Sequence, residues 1–121
     1  MDSNLPRIFI IDDDMSFGKS LVRLLGARGF VAEHFSSAQS FLDSILPDQP
    51  GIAVIDIHMP GYDGFVLFDK MKERHYVMSV VFVTGQAQTS DRDLALNKGA
   101  IGFLLKPFSE ESLLELLQEI S

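Results

Sequence analysis

Short apolar runs alternate along the chain with stretches in which apolar residues return every three or four positions. Four of the runs are almost unbroken, at 7–11 (RIFII), 52–55 (IAVI), 80–83 (VVFV) and 102–105 (GFLL). Strands buried on both faces read this way, because a sheet covered on both sides leaves few positions that can stay polar. A fifth run, 31–35 (VAEHF), alternates apolar and polar residues and suits the edge of the same sheet.

Between the strands the period changes to that of a helix. Phe17, Leu21, Leu24 and Leu25 make one stripe, with Gly29 placed to end it. Phe41, Leu42, Ile45 and Leu46 make a second, with Ser36 or Ser37 as N-cap and Pro47 and Pro50 closing it. Leu67, Phe68 and Met71 follow the turn-like PGYDG at 60–64. A fourth helix over 90–98 has only Leu94, Ala95 and Leu96 as apolar support. The last begins at Ser109, with Glu110 and Glu111 in its first turn, where the helix dipole favours negative charge. Leu113, Leu116, Leu117 and Ile120 share one of its faces.

Five strand–helix units in succession predict a doubly wound α/β domain with a parallel sheet. Right-handed crossovers leave few topologies, of which strand order 2-1-3-4-5 is the common five-stranded one. All strands then point one way, so the residues after each strand collect along one rim. Those residues are Asp12, Asp13 and Asp14 after the first strand, Asp56 after the third, Thr84 and Gly85 after the fourth, and Lys106 and Pro107 after the fifth. The first and third strands are neighbours, and the crevice between their ends is where such folds bind ligands. Asp12, Asp13 and Asp56 are therefore predicted to converge.

Clustered carboxylates repel one another and raise one another's pKa values unless a cation joins them. Oxygen ligands without His or Cys suit a hard ion, and a site with few direct carboxylates suits Mg2+ better than a Ca2+ cage. Lys106 brings a mobile positive charge to the same crevice, and Thr84 brings a hydroxyl donor. Together these groups suit phosphoryl transfer to a central carboxylate.

Composition narrows the classes further. The chain has 121 residues, 46% of them hydrophobic, which fits one domain over 1–121. A net charge of -7 opposes nucleic-acid binding and favours cations and basic partner surfaces. With no cysteine there is neither a disulfide nor a thiolate metal site. No apolar run has transmembrane length, and residues 1–4 lack the features of a signal peptide, so no membrane contact and a cytoplasmic location are expected. No G-x-x-x-x-G-K-[ST] run offers a nucleotide site.

IIDDD, VIDIHMPGYDG, VFVTG and GFLLKPF, in this order and spacing, resemble the receiver domain of two-component response regulators. The resemblance spans 6–120, and GFVAEHFSSAQSFL and VTG look most like the subgroup that precedes a helix-turn-helix transcription domain. It implies a flavodoxin-like fold and a switch that catalyses only its own phosphorylation and dephosphorylation. By resemblance, Asp56 would accept a phosphoryl group from the phosphohistidine of a sensor histidine kinase. Asp13, Asp56 and the backbone carbonyl of His58 would ligate Mg2+, and Asp12 would hold a coordinated water. Lys106 would pair with a phosphoryl oxygen, Thr84 would swing toward it, and Phe103 would turn into the space vacated. The Lys106–Pro107 bond would be cis. The surface of the fourth helix, fifth strand and fifth helix would change, with homodimerisation through that face and an output domain beyond 121, most plainly for transcription. Helix 90–98, preceded by Gly85, Gln86, Ala87 and Gln88, is the poorest helix by pattern and is expected to move. Phe103 lacks the hydroxyl of the tyrosine common there, so any switch would work by packing. His58 and Gln86 stand two residues beyond Asp56 and Thr84, where the family sets how fast the phosphoryl group is hydrolysed.

Each residue also has a plainer reading. Asp14 reads as a helix cap, with Ser16 also a credible one; capping explains one aspartate but not the convergence of three. Thr84 alone would be a strand residue, Lys106 a solvated lysine and Phe103 core. The His58 side chain is expected to be exposed, and Gly64 and Gly99 read as backbone punctuation. A flavin carrier would set its phosphate against Asp12 to Asp14, where donors are needed. A D-x-D phosphatase would need a second acid where His58 stands. A stand-alone phosphorelay or a docking receiver without output keeps the same fold.

Overall fold

The computed structural model describes residues 5–85 and 90–120. The expectations attached to Gln86, Ala87, Gln88 and residues 1–4 lie outside the described residues, as does the side chain of Ile120. Among the described residues, five parallel strands form one sheet: β1 (Ile8–Ile11), β2 (Ala32–Phe35), β3 (Ile52–Asp56), β4 (Ser79–Thr84) and β5 (Gly102–Leu105). Their order is β2-β1-β3-β4-β5, as the pattern predicts. The helices between and after them are α1 (Met15–Ala27), α2 (Ala38–Ser44), α3 (Gly64–Glu73), α4 (Asp91–Asn97) and α5 (Glu110–Ile120). No helix among the described residues is long and apolar enough to cross a membrane.

Alternation along the strands divides the core in two, because successive side chains leave opposite faces of a sheet. Ile8, Ile10, Ile52, Val54, Val81 and Val83 pack with Leu21 and Leu25 of α1 and Leu113 and Leu117 of α5. Phe9, Ile11, Ala53, Ile55, Val80 and Phe82 face the other way, onto Phe41 of α2, Leu67, Phe68 and Met71 of α3 and Ala95 of α4. Phe41 and Phe82 are hubs of edge-on and tilted ring contacts on that second face, with centroids 4.9–6.3 Å apart. Each such fully buried side chain contributes roughly 1.5–3 kcal/mol by leaving water.

Several boundaries differ from the sequence reading. Asp56 and Thr84 are the last residues of β3 and β4 rather than the first beyond them, since they still pair in register with Val83 and Leu105. β1 and β2 each begin one residue later than the apolar runs. α2 stops at Ser44: Ile45 is already extended and Leu46 is 71% exposed, so the predicted stripe loses its last member. The residue before a proline avoids the helical region, and Leu46 precedes Pro47. Ser37, not Ser36, caps this helix, its Oγ accepting from the Ser40 amide at 3.1 Å. Ser109 caps α5 from just outside it, accepting from the Ser112 amide at 3.0 Å. A two-residue antiparallel hairpin, His58–Met59 with Tyr62–Asp63, lies between β3 and α3 and was not foreseen.

Candidate functional site

The three aspartates after β1 take three different positions. Asp12 is buried; its Oδ1 accepts from the Asp14 amide at 2.9 Å and its Oδ2 from Lys106 Nζ at 2.6 Å. Asp13 stands exposed on the rim. Asp14 caps α1, accepting from the Phe17 amide at 3.0 Å, whereas Ser16 lies inside the helix. The Asp12 carbonyl lies 2.8 Å from Nε2 of His34, on β2. That ring rests on Gly18, where any Cβ would stand 2.3 Å from it. Glycine inside a helix is unfavourable in itself, and the imidazole explains its presence here.

At the end of β3, Asp56 is 6% exposed and its Oδ1 accepts from the His58 amide at 3.3 Å. The chain then turns through the hairpin into α3, which Asp63 caps by accepting from the Phe65 amide. Gly64 is more than punctuation. Its amide donates to the Ile57 carbonyl, and a Cβ there would fall 2.6 Å from the Asp56 carbonyl oxygen. The His58 side chain is partly exposed, with Nε2 3.4 Å from Oδ2 of the buried Asp91 at the start of α4.

β4 ends in Thr84, fully buried, and its carbonyl accepts from the Lys106 amide at 2.8 Å. Lys106 Nζ reaches to 3.8 Å from Asp56 Oδ2, and the Lys106–Pro107 bond is cis. Phe103 is half-buried and packs against the α2–α3–α4 face of the core.

Asp12, Asp13, Asp14, Asp56, His58, Thr84, Gly85 and Lys106 thus line one pocket of about 260 Å³ at the carboxyl ends of the strands. Ligand oxygens of Asp12, Asp13 and Asp56 lie within 4.8 Å of one another, an all-oxygen donor set that fits a hard cation. The pocket is electrostatically strained. Burial, then the nearby Asp12 charge, pushes the Asp56 carboxyl up to about 6; the Lys106 ammonium and the His58 amide oppose this, and Asp13 adds a little to it. A cation in the pocket would relieve that repulsion.

Residues 8–118 match the response regulator receiver domain. The chain belongs to this family. It is 35% identical over 111 residues to the transcriptional regulatory protein FixJ of Bradyrhizobium diazoefficiens, covering 92% of this chain and 54% of FixJ. It is 34% identical over 113 residues to the C4-dicarboxylate transport transcriptional regulatory protein DctD of Rhizobium meliloti, covering 93% of this chain and 25% of DctD. Among solved structures, a receiver domain protein from Methanospirillum hungatei superposes with a TM-score of 0.86 at 31% identity, covering 97% of this chain and 94% of that one. The receiver chain therefore spans between a quarter and about half of the length of these curated relatives.

The sequence reading did not single out Gly18, His34 or Asp91, gave Phe17 only to the α1 stripe and took Gly64 for punctuation. Of these, only Gly18, a glycine in mid-helix, carried a signal in the sequence; the rest depend on which distant residue lies opposite.

Proposed function

We propose that this receiver domain is a phosphoacceptor whose Asp56 takes a phosphoryl group from the phosphohistidine of a sensor histidine kinase. The observation that carries the reading is the convergence of three carboxylates, a lysine and a buried hydroxyl in one pocket at the switch point between β1 and β3. An Asp56 carboxylate oxygen attacks phosphorus, and the P–N bond breaks. Its electron pair leaves with the imidazole nitrogen, while the proton on the ring's other nitrogen keeps the departing ring neutral. Asp13, Asp56 and the His58 carbonyl would hold Mg2+, with Asp12 acting through a water; the ion would supply neutralising charge for the phosphoryl oxygens. Lys106 gives up its ion pair with Asp12 for a phosphoryl oxygen, and the Thr84 hydroxyl donates to another.

The new charge favours the arrangement in which Thr84 and Lys106 both face it, and this biases a two-state equilibrium. A coupling of ~1–3 kcal/mol is sufficient for a useful shift. The readout is the α4–β5–α5 surface, where Leu94, Leu96, Ile101 and Leu105 are 40–54% exposed. Phe103, at the start of β5, moves with it by packing alone. Homodimerisation through this face, an output domain beyond residue 121 acting on transcription and a cytoplasmic location complete the proposal; FixJ and DctD are named as transcriptional regulators.

Incubation with acetyl phosphate and Mg2+ tests the reading. Wild-type protein is expected to label at one aspartate per chain, and Asp56→Asn to label not at all. Stoichiometric labelling of the Asp56→Asn protein overturns the assignment.

A further inference from the structure

Lys106 has a third neighbour besides the two carboxylates. Its Nζ lies 4.1 Å from the centroid of the Phe17 ring, over the face of the ring. Phe17 belongs to the first turn of α1, and its backbone amide is the one that Asp14 caps, so the ring is anchored to the same acidic run that builds the pocket. The ring is also packed against a second one. Phe108, two residues beyond Lys106, meets it edge-on, with centroids 5.9 Å apart and planes at 88°.

We infer that Phe17 is a positioning residue for Lys106, its ring face holding the ammonium at the mouth of the pocket when Asp12 no longer does. The inference rests on the phosphoacceptor reading for its consequence, though not for its geometry. A lysine stem has four rotatable bonds and an ammonium that water solvates strongly, so it wanders unless something retains it. In this structure the Asp12 carboxylate does most of that at 2.6 Å. Asp12 belongs to the cluster that would serve a cation, and a cation there competes for its charge. The attraction of an ammonium to the quadrupole of an aromatic face does not depend on any carboxylate. Phe17 therefore keeps Lys106 within reach of Asp56 at the step when Asp12 is engaged elsewhere.

Two substitutions separate the ring's face from its bulk. Phe17→Leu keeps an apolar, though smaller, side chain against Phe108 and removes the π face; Phe17→Tyr keeps the face. With acetyl phosphate and Mg2+, Phe17→Leu is expected to slow Asp56 labelling about three- to tenfold and Phe17→Tyr to stay within about twofold of wild type. Carbon-bound protons at Cε of Lys106 are expected to resonate upfield in wild type and Phe17→Tyr, shielded by the ring, and to return toward free lysine in Phe17→Leu. Labelling of a folded Phe17→Leu at the wild-type rate overturns the inference, as does equal slowing in both variants. Should Phe17→Leu fail to fold, the wild-type Lys106 resonance decides: an unshifted signal overturns the contact and a shifted one retained in Phe17→Tyr upholds it. A wild-type protein that never labels counts against the phosphoacceptor reading instead, and the resonance still judges the ring.

Discussion

Asp56 is held in an environment that disfavours its own charge. Its carboxyl titrates near 6 in the folded chain, against 3.8 for an unperturbed aspartate, chiefly because it is buried and secondly because Asp12 faces it. The folded state therefore binds this proton more tightly than the unfolded state does. Its contribution to stability is present at low pH and is lost as pH rises from about 4 through about 6. The loss amounts to up to about 3 kcal/mol by linkage. Asp56→Asn removes it, so at pH 7.5 that variant is expected to unfold at a higher urea concentration than wild type, with the gap closing toward pH 4. Equal midpoints at pH 7.5 contradict the strained pocket. Magnesium is expected to raise the melting temperature of wild type at neutral pH and to do so far less for Asp13→Asn, because only a ligand bound by the folded state stabilises it.

At the scale of elements, the site depends on how closely α3 and α4 approach the end of β3. Gly64 lets α3 start against the Asp56 main chain, where a methyl group would sit 2.6 Å from a carbonyl oxygen. Backbone cannot step aside as a side-chain tip can, so Gly64→Ala is expected to cost about 1–3 kcal/mol in urea unfolding and to slow labelling by shifting Asp56. α4 is short and lightly capped: seven residues long, with no side-chain cap bond from Ser90 and with only Asp91 and Ala95 buried. The His58–Asp91 contact ties it to the loop after Asp56. His58→Ala is expected to speed hydrogen exchange in α4 roughly three- to tenfold with little change in global stability, as the loss of one modest hydrogen bond should. Unchanged exchange in α4 shows that the contact restrains nothing.

For the molecule as a whole, the proposed switch joins the acidic rim to the apolar α4–β5 face. A net charge of -7 keeps copies apart until contact area outweighs repulsion. Leu105 is 54% exposed at the end of β5, one residue before Lys106, so it is placed to feel the lysine move. Labelled protein is expected to sediment as a heavier species than unlabelled protein, and Leu105→Glu to prevent this while labelling proceeds at the wild-type rate. A mass unaffected by labelling rules out phosphorylation-dependent homodimerisation through this face.

Periodicity and order are one-dimensional properties, and they carried the architecture: apolar runs marked the strands, helical stripes marked the helices, and parallel crossovers placed Asp12, Asp13, Asp56, Thr84 and Lys106 on one rim. Where α2 ended was misread, because the stripe through Leu46 ran past the point that Pro47 allows. Which acid lies buried, which one Lys106 grips from 94 positions away, and which ring lies beneath that lysine were decided only by the tertiary structure. Those contacts depend on the angle and closeness with which separate elements meet, and side-chain spacing within a single element does not encode them. Gly18 and Gly64 mark the same divide: one passes unnoticed in the chain and the other reads as turn punctuation, and each is a fitted contact once His34 and Asp56 stand opposite it.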